Sequence, residues 1–191
     1  MRPFAQDTIS NIQENTHSNP IKVLLVSEIV AVPQEIVPYL ETLLNQEKFS
    51  VYIKFRQYND SFETWLRSHR PDILKTLGSE RALKGSMQDA IGMVDVVVGS
   101  QSTGVIEATL LDKPFVLFNT KKWGDYFDMK SFDSEHHFFA DTPEELVLYV
   151  TESKEVSQHV LEIVRERFFG DPHQNGSAWV VNRLVAILGH Y

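Results

Sequence analysis

A cluster of small and hydroxyl-bearing residues, Gly99-Ser100-Gln101-Ser102-Thr103-Gly104, stands between two apolar stretches of the chain. The pattern predicts a buried strand before the cluster and a helix over 104–111 after it. The first N–H groups of a helix are free and carry the positive end of its dipole, so such a junction favours an anion. Ser102 and Thr103 can cap the helix or donate to phosphate oxygens, and Gly104 permits a close approach of the backbone. Phosphate binding and an ordinary capped helix start are the two interpretations.

Charged residues elsewhere in the pattern are candidates for the same site. Glu107 falls in the first turn after the cluster, where its carboxylate suits the two hydroxyls of a ribose or complements the helix N-terminus. Lys54 and Arg56 follow the second predicted strand and are the best cations for a diphosphate, the alternative being solvated charges at a strand end. Ser27 and Glu28 end the first strand and are weaker candidates to line the same cleft.

Strand and helix patterns alternate from Ile21 to Asn119 and predict the sheet that must position these residues. The predicted strands are IKVLLVS, SVYIKFR, ILKTL, DVVVGS and PFVLFN. Helices fall between them, and capping residues at Asp60, Ser86 and Thr142 mark helix starts. The alternation predicts an α/β fold with a single Rossmann-like, doubly wound parallel sheet of about five to six strands. Ligands of such sheets bind beyond the carboxyl ends of the strands, where the polar cluster lies.

The remaining segments are less regular. Residues 1–20 are polar and aperiodic and are predicted to be a linker or disordered arm, with the domain over 21–191. A long aromatic and charged loop follows Asn119, and its Trp123, Tyr126 and Phe127 either pack onto the domain or stack on a base or sugar. Helices are predicted at the end of the chain, over 143–150, 154–168 and 176–188.

Two further motifs contain polar residues that could bind a ligand. Ser79, in the turn predicted after the third strand, is a candidate contact to the base of a nucleotide, with a surface turn as the alternative. His136 and His137 lie near Asp133 and Glu135, but their spacing matches no standard ligand pattern, so no metal is expected. No cofactor is expected either.

Composition excludes several classes of protein. The formal net charge of -8 argues against a non-specific nucleic-acid binder, and the absence of cysteine excludes disulfides and thiol nucleophiles. No apolar stretch approaches the ~20 residues of a membrane span, and no signal-peptide core is present, which favours a soluble, cytoplasmic protein. The dinucleotide-binding Gly-x-Gly-x-x-Gly, the phosphate-binding P-loop and the Gly-x-Ser-x-Gly of serine hydrolases are also missing.

The segment DAIGMVDVVVGSQSTGVIEATLLDKPFVLFN resembles the donor-binding segment of GT-B fold glycosyltransferases. It is closest to bacterial surface and capsular polysaccharide transferases and to the CDP-glycerol glycerophosphotransferase group. Their pattern is an apolar strand, a Ser/Thr-rich turn, an acidic residue in the next helix, and a Gly-Lys-Pro turn. Here that last turn reads Asp112-Lys113-Pro114, and Lys54-Phe55-Arg56-Gln57 replaces a Lys-Pro-His-Pro type sequence, so the usual histidine is missing. The closing FFGDPHQNGSAWVVNRLVAIL is also similar to the last helix of these transferases.

The resemblance implies the C-terminal, donor-binding half of a GT-B enzyme, whose active site lies between two Rossmann-like domains. The chain would bind a nucleotide-linked sugar or glycerol donor for polysaccharide synthesis. It would need a second, acceptor-binding domain in cis or in trans, and no catalytic residue is assigned. Two alternatives stay open, half of a UDP-sugar 2-epimerase-like enzyme and a non-catalytic α/β binding or assembly module. The base, the sugar and the acceptor are undetermined.

Overall fold

The structure, a computed structural model, describes residues 19–28, 32–132 and 136–170, together with 177, 178, 180, 181, 185 and 186. Within them, six strands form one all-parallel sheet in the order β3-β2-β1-β4-β5-β6. The strands are β1 (Ile21–Val26), β2 (Phe49–Lys54), β3 (Ala82–Leu83), β4 (Val96–Gly99), β5 (Phe115–Phe118) and β6 (Phe139–Ala140). The predicted Rossmann-like α/β fold is therefore confirmed.

Helices connect and flank the strands. They are α1 (Pro33–Leu44), α2 (Ser61–His69), α3 (Pro71–Arg81), α4 (Met87–Gly92), α5 (Thr103–Ile106), α6 (Pro143–Glu152) and α7 (Gln158–Phe169), with 3₁₀ turns at Glu107–Leu111 and Ser153–Glu155. The caps predicted at Asp60, Ser86 and Thr142 are confirmed, because each side chain accepts a hydrogen bond from the N–H three residues later. No helix in the described part of the chain is long and apolar enough to cross a bilayer.

Two apolar clusters cover the two faces of the sheet. Along β1, Val23 and Leu25 point into one cluster with α1, α2 and α6, whereas Leu24 and Val26 point into the other with α5 and α7. All four side chains are buried. A strand covered on both faces needs apolar residues at consecutive positions, which is why Val23–Val26 of β1 and Val96–Val98 of β4 are continuous apolar runs.

Three predicted elements differ in the structure. Residues 73–77, predicted as the third strand, lie in α3, because Ile73 and Leu77 are buried four positions apart on one helical face. The third strand is instead the two-residue β3. The helix predicted over 104–111 is α5 followed by the tighter 3₁₀ turn, and β6 forms inside the predicted long loop.

Two of the helices predicted near the end of the chain are present in the structure, whereas the predicted N-terminal arm and the last predicted helix lie largely outside the described residues. The helix predicted over 143–150 is α6, and the one predicted over 154–168 is α7, which a 3₁₀ turn precedes. The arm predicted over residues 1–20 falls outside the described residues up to position 18. Most of the helix predicted over 176–188 also lies outside them.

The strand order creates a crevice at one edge of the sheet. From β1 the chain runs outward through β2 to β3, whereas β4, on the other side of β1, leads outward to β5 and β6. The connections that leave β1 and β4 therefore diverge at the carboxyl edge. Ligands of open α/β sheets bind in the crevice at such a topological switch point.

Candidate ligand-binding cleft

A cleft of about 710 Å³ lies at the carboxyl edge of β1, β2 and β4. Most of the predicted site residues stand on its wall, together with the ends of β1 and β2, the start of α4 and the loop after β5. The wall residues are Val26, Ser27, Glu28, Lys54, Phe55, Arg56, Met87, Gln101, Ser102, Thr103, Gly104, Glu107, Trp123, Tyr126 and Phe127. The tertiary structure thus gathers segments that are far apart in the sequence at the switch point.

The cations of the cleft are on the β2 side. Lys54, the last residue of β2, is only 6% exposed, and its Nζ donates to the carbonyl of Phe55 at 2.8 Å. Burial lowers the pKa of the Lys54 ammonium, and the Asp60 carboxylate opposes that effect. Arg56 is exposed at the rim. Among the described residues neither cation forms an ion pair, so both charges are available to a ligand.

Asp60 ties the end of β1 to the loop after β2. Its Oδ2 accepts from the Ser27 hydroxyl at 2.7 Å and from the Arg56 N–H at 2.8 Å. Its Oδ1 accepts from the Glu63 N–H at 2.8 Å, which is the cap of α2. The carboxylate is 4% exposed. Asp60 therefore holds two segments of the cleft wall at a fixed separation, a function beyond the helix cap that the sequence predicts.

Two backbone N–H groups of the turn after β4, those of Gln101 and Gly104, already donate hydrogen bonds within the chain. The Ser102 hydroxyl accepts from the Gly104 N–H at 3.3 Å, so Ser102 is the cap of α5. The Gln101 N–H donates to Oε1 of Glu28 at 2.6 Å. Ser100 is buried behind the turn and does not stand on the cleft wall. Since α5 itself has four residues, the capped-helix interpretation describes this turn well.

Two carboxylates stand on the wall, and they differ in environment. Glu28 is buried, which raises the pKa of its carboxyl, whereas the hydrogen bond from the Gln101 N–H opposes the increase. Glu107 is half-buried in the 3₁₀ turn that follows α5. Glu107 therefore has the position predicted for a group that accepts hydrogen bonds from ligand hydroxyls.

An aromatic wall closes the cleft on the side of the loop after β5. Trp123, Tyr126 and Phe127 form a chain of edge-to-face contacts, with ring centroids 5.9 Å and 5.2 Å apart. The chain ends on Phe168 of α7, 5.7 Å from Phe127. Phe127 thus packs onto the domain, while Trp123 and Tyr126 are 37% and 63% exposed. The Lys122 Nζ lies 5.0 Å from the centroid of the Trp123 ring, so Tyr126 offers the more accessible π-surface to a base or a sugar.

Two predicted candidates lie away from the cleft. Ser79 is exposed in α3 and precedes β3, so the prediction that it follows the third strand is wrong, and it is not on the cleft wall. His136 and His137 line a separate cavity of about 220 Å³, in which His137 stacks on Tyr149. Burial, and to a smaller extent the charge of His137, lowers the pKa of His136 to about 4. Asp133 lies outside the described residues, and within those residues no three metal-ligating groups cluster.

A scan of the chain against protein-family models finds no match, and a search of curated proteins finds none either. The six-stranded parallel fold and the residues of the cleft wall are therefore the features from which a function can be inferred.

Proposed function

We propose that the chain is the donor-binding half of a two-domain glycosyltransferase, and that its cleft binds a nucleotide-linked sugar or CDP-glycerol. The observation that carries the proposal is Lys54. A buried ammonium is costly unless an anion compensates it. Its side chain stands on the wall of a cleft at the switch point and forms no ion pair with the described residues. The nearby Asp60 carboxylate compensates the ammonium in part, and a diphosphate in the cleft would add further negative charge.

The other walls suit the remaining parts of such a donor. The exposed faces of Trp123 and Tyr126 can stack on a base or a sugar ring. Glu107 can accept hydrogen bonds from the two ribose hydroxyls. The volume of about 710 Å³ falls within the range of small-molecule sites.

The same geometry supports transfer chemistry. An acceptor hydroxyl attacks the donor. With a nucleotide sugar, the bond between the sugar and the diphosphate breaks, and negative charge grows on the leaving nucleoside diphosphate. With CDP-glycerol, the bond between the two phosphates breaks, glycerol phosphate is transferred, and negative charge grows on the leaving CMP. Lys54 and Arg56 would stabilise that charge from fixed positions, which lowers the barrier because no reorganisation is needed. The acceptor, and the base that takes its proton, would come from a second domain in cis or in trans.

One observation favours the alternative of a non-catalytic α/β binding module. The Gln101 N–H, which a phosphate could use, is occupied by the carboxylate of Glu28. A module of this kind would keep the cleft but bind a ligand without a diphosphate. It would give no selective response to nucleotides.

Thermal-shift and calorimetric titrations with UDP, CDP, GDP, ADP, UDP-glucose and CDP-glycerol test the proposal. We expect stabilisation that is selective for one base, since a ligand that binds only the native state raises its stability. Lys54→Met should weaken binding about tenfold or more, equivalent to about 1.4 kcal/mol. The matched control is Lys75→Met on the exposed face of α3, which should leave affinity unchanged. A flat response to all six compounds would contradict the donor-binding function.

A further inference from the structure

The side chain of Glu28, which follows β1, contacts the turn after β4. It lies two residues beyond the end of β1, is 6% exposed, and accepts the Gln101 N–H at 2.6 Å across 73 residues of sequence. Among the described residues no lysine, arginine or histidine forms an ion pair with it. Among the described residues, the carboxylate is therefore compensated by a hydrogen bond from the turn and not by a cation.

This contact changes what the turn can bind. A phosphate oxygen placed against the Gln101 N–H would have to displace Glu28 or approach a like charge in a partly buried site, where screening is weak. A hydroxyl in the same place would instead donate to the carboxylate and be stabilised by it. The turn therefore favours ligand groups that donate a hydrogen bond, such as hydroxyls, over anionic groups such as phosphate.

The charges of the cleft are accordingly divided between two sides. Lys54 and Arg56 stand at the end of β2 together with the buried carboxylate of Asp60. Glu28 and Glu107 stand beside the turn that follows β4 and in the 3₁₀ segment after it. A ligand with an anionic part and a hydroxyl-rich part fits this division in one orientation only. The anionic part lies on the β2 side.

We propose that Glu28 is a specificity-determining residue: it excludes phosphate from the β4–α5 turn and accepts a hydrogen bond from a ligand hydroxyl, so the diphosphate of the ligand lies against Lys54 and Arg56. The identity of the ligand rests on the function proposed above. The exclusion of phosphate rests on the contact between Glu28 and Gln101 and holds for any anion.

Glu28→Gln tests the proposal with inorganic pyrophosphate as the probe in isothermal titration calorimetry. Glutamine keeps the size of the side chain and an oxygen that can accept the Gln101 N–H, but it removes the charge. We expect pyrophosphate to bind Glu28→Gln at least tenfold more tightly than the wild type. Glu28→Asp retains the charge and should keep the weak binding of the wild type, which separates charge from shape.

The matched control is Glu162→Gln, which removes one charge from the exposed surface of α7 and should change the affinity less than twofold. Pyrophosphate affinities of wild type and Glu28→Gln within twofold of each other, including no binding to either, would overturn the assignment of Glu28. If pyrophosphate bound Glu28→Gln more tightly but no nucleotide bound the wild type, the exclusion of phosphate by Glu28 would be supported and the donor-binding function rejected. If a nucleotide bound the wild type but Glu28→Gln left the pyrophosphate affinity unchanged, the donor-binding function would be supported and the role of Glu28 rejected.

Discussion

Asp60 connects the two segments at the β1–β2 side of the cleft, and its replacement by alanine removes that connection. The wild-type carboxylate accepts from the Ser27 hydroxyl at 2.7 Å, the Arg56 N–H at 2.8 Å and the Glu63 N–H at 2.8 Å. Asp60→Ala deletes both acceptor oxygens and with them all three hydrogen bonds. We therefore expect both a loss of stability and a displaced Arg56.

The magnitude follows from the three contacts. Loss of the cap to Glu63 costs about 1 kcal/mol. Hydrogen bonds to a charged group contribute ~1.5–3 kcal/mol each, and the lower value suits Ser27 and Arg56 because water in the cleft can replace part of the lost acceptor. The free energy of unfolding should fall by about 4 kcal/mol, a large share of the ~5–15 kcal/mol of an ordinary domain.

Urea unfolding followed by circular dichroism measures this change. With a slope of about 2 kcal/mol per molar urea, the midpoint falls by about 2 M. Thr142→Ala is the matched control, since its hydroxyl accepts one hydrogen bond, from the Glu145 N–H at 3.2 Å, at the start of α6. That variant should lose only about 1 kcal/mol. If Asp60→Ala were no more destabilising than Thr142→Ala, the assigned connection between the two segments would be wrong.

Three further substitutions test burial and packing by the same unfolding assay. Lys54→Met should stabilise the protein by roughly 1 kcal/mol at neutral pH, because it removes a buried ammonium. The difference in stability between Lys54→Met and the wild type should shrink as the pH rises towards 10.5. Because the pKa of Lys54 is lowered in the folded state, the unfolded wild type binds more protons than the folded one just below pH 10.5, so the wild type gains stability there as the pH rises. Since burial lowers the pKa of His136 from 6.5 to about 4, acidification across that window should destabilise the wild type by about 3 kcal/mol relative to His136→Gln. The control variant His159→Gln, at an exposed histidine, should lose as much stability on acidification as the wild type does. If the free energy of unfolding of His136→Gln fell with pH as steeply as that of the wild type, the burial effect would be refuted. Gly99→Ala places a Cβ 2.5 Å from a methyl of the buried Val105 and should cost about 1–3 kcal/mol. Gly92→Ala meets open space and should be neutral or slightly stabilising, and equal effects of the two glycine substitutions would argue against the clash.

Local features of the fold could be predicted from the sequence because their contacts are local. The caps at Asp60, Ser86 and Thr142 join residues three positions apart, and the buried strands β1 and β4 need continuous apolar runs. The short strands could not be predicted. Pairing of Ile53 with Ala82 and Lys54 with Leu83 defines β3, so two residues become a strand only beside β2. The apolar residues of 73–77 suit a strand or a helix, and packing selects the helix.

The sequence by itself placed most of the candidate residues, though not Ser79, at the carboxyl edge, because the carboxyl ends of parallel strands lie at the same edge of a sheet. Lys54, Arg56, Glu107 and the hydroxyl cluster could be placed there from strand and helix patterns alone. Only the tertiary structure decided that Glu28 accepts the Gln101 N–H and that Ser27 donates to Asp60, contacts across 73 and 33 residues of sequence. Such contacts depend on the order in which strands pair, and periodicity within a segment carries no information about its neighbours in the sheet. The division of the cleft into a cationic and an acidic side is a property of that strand order.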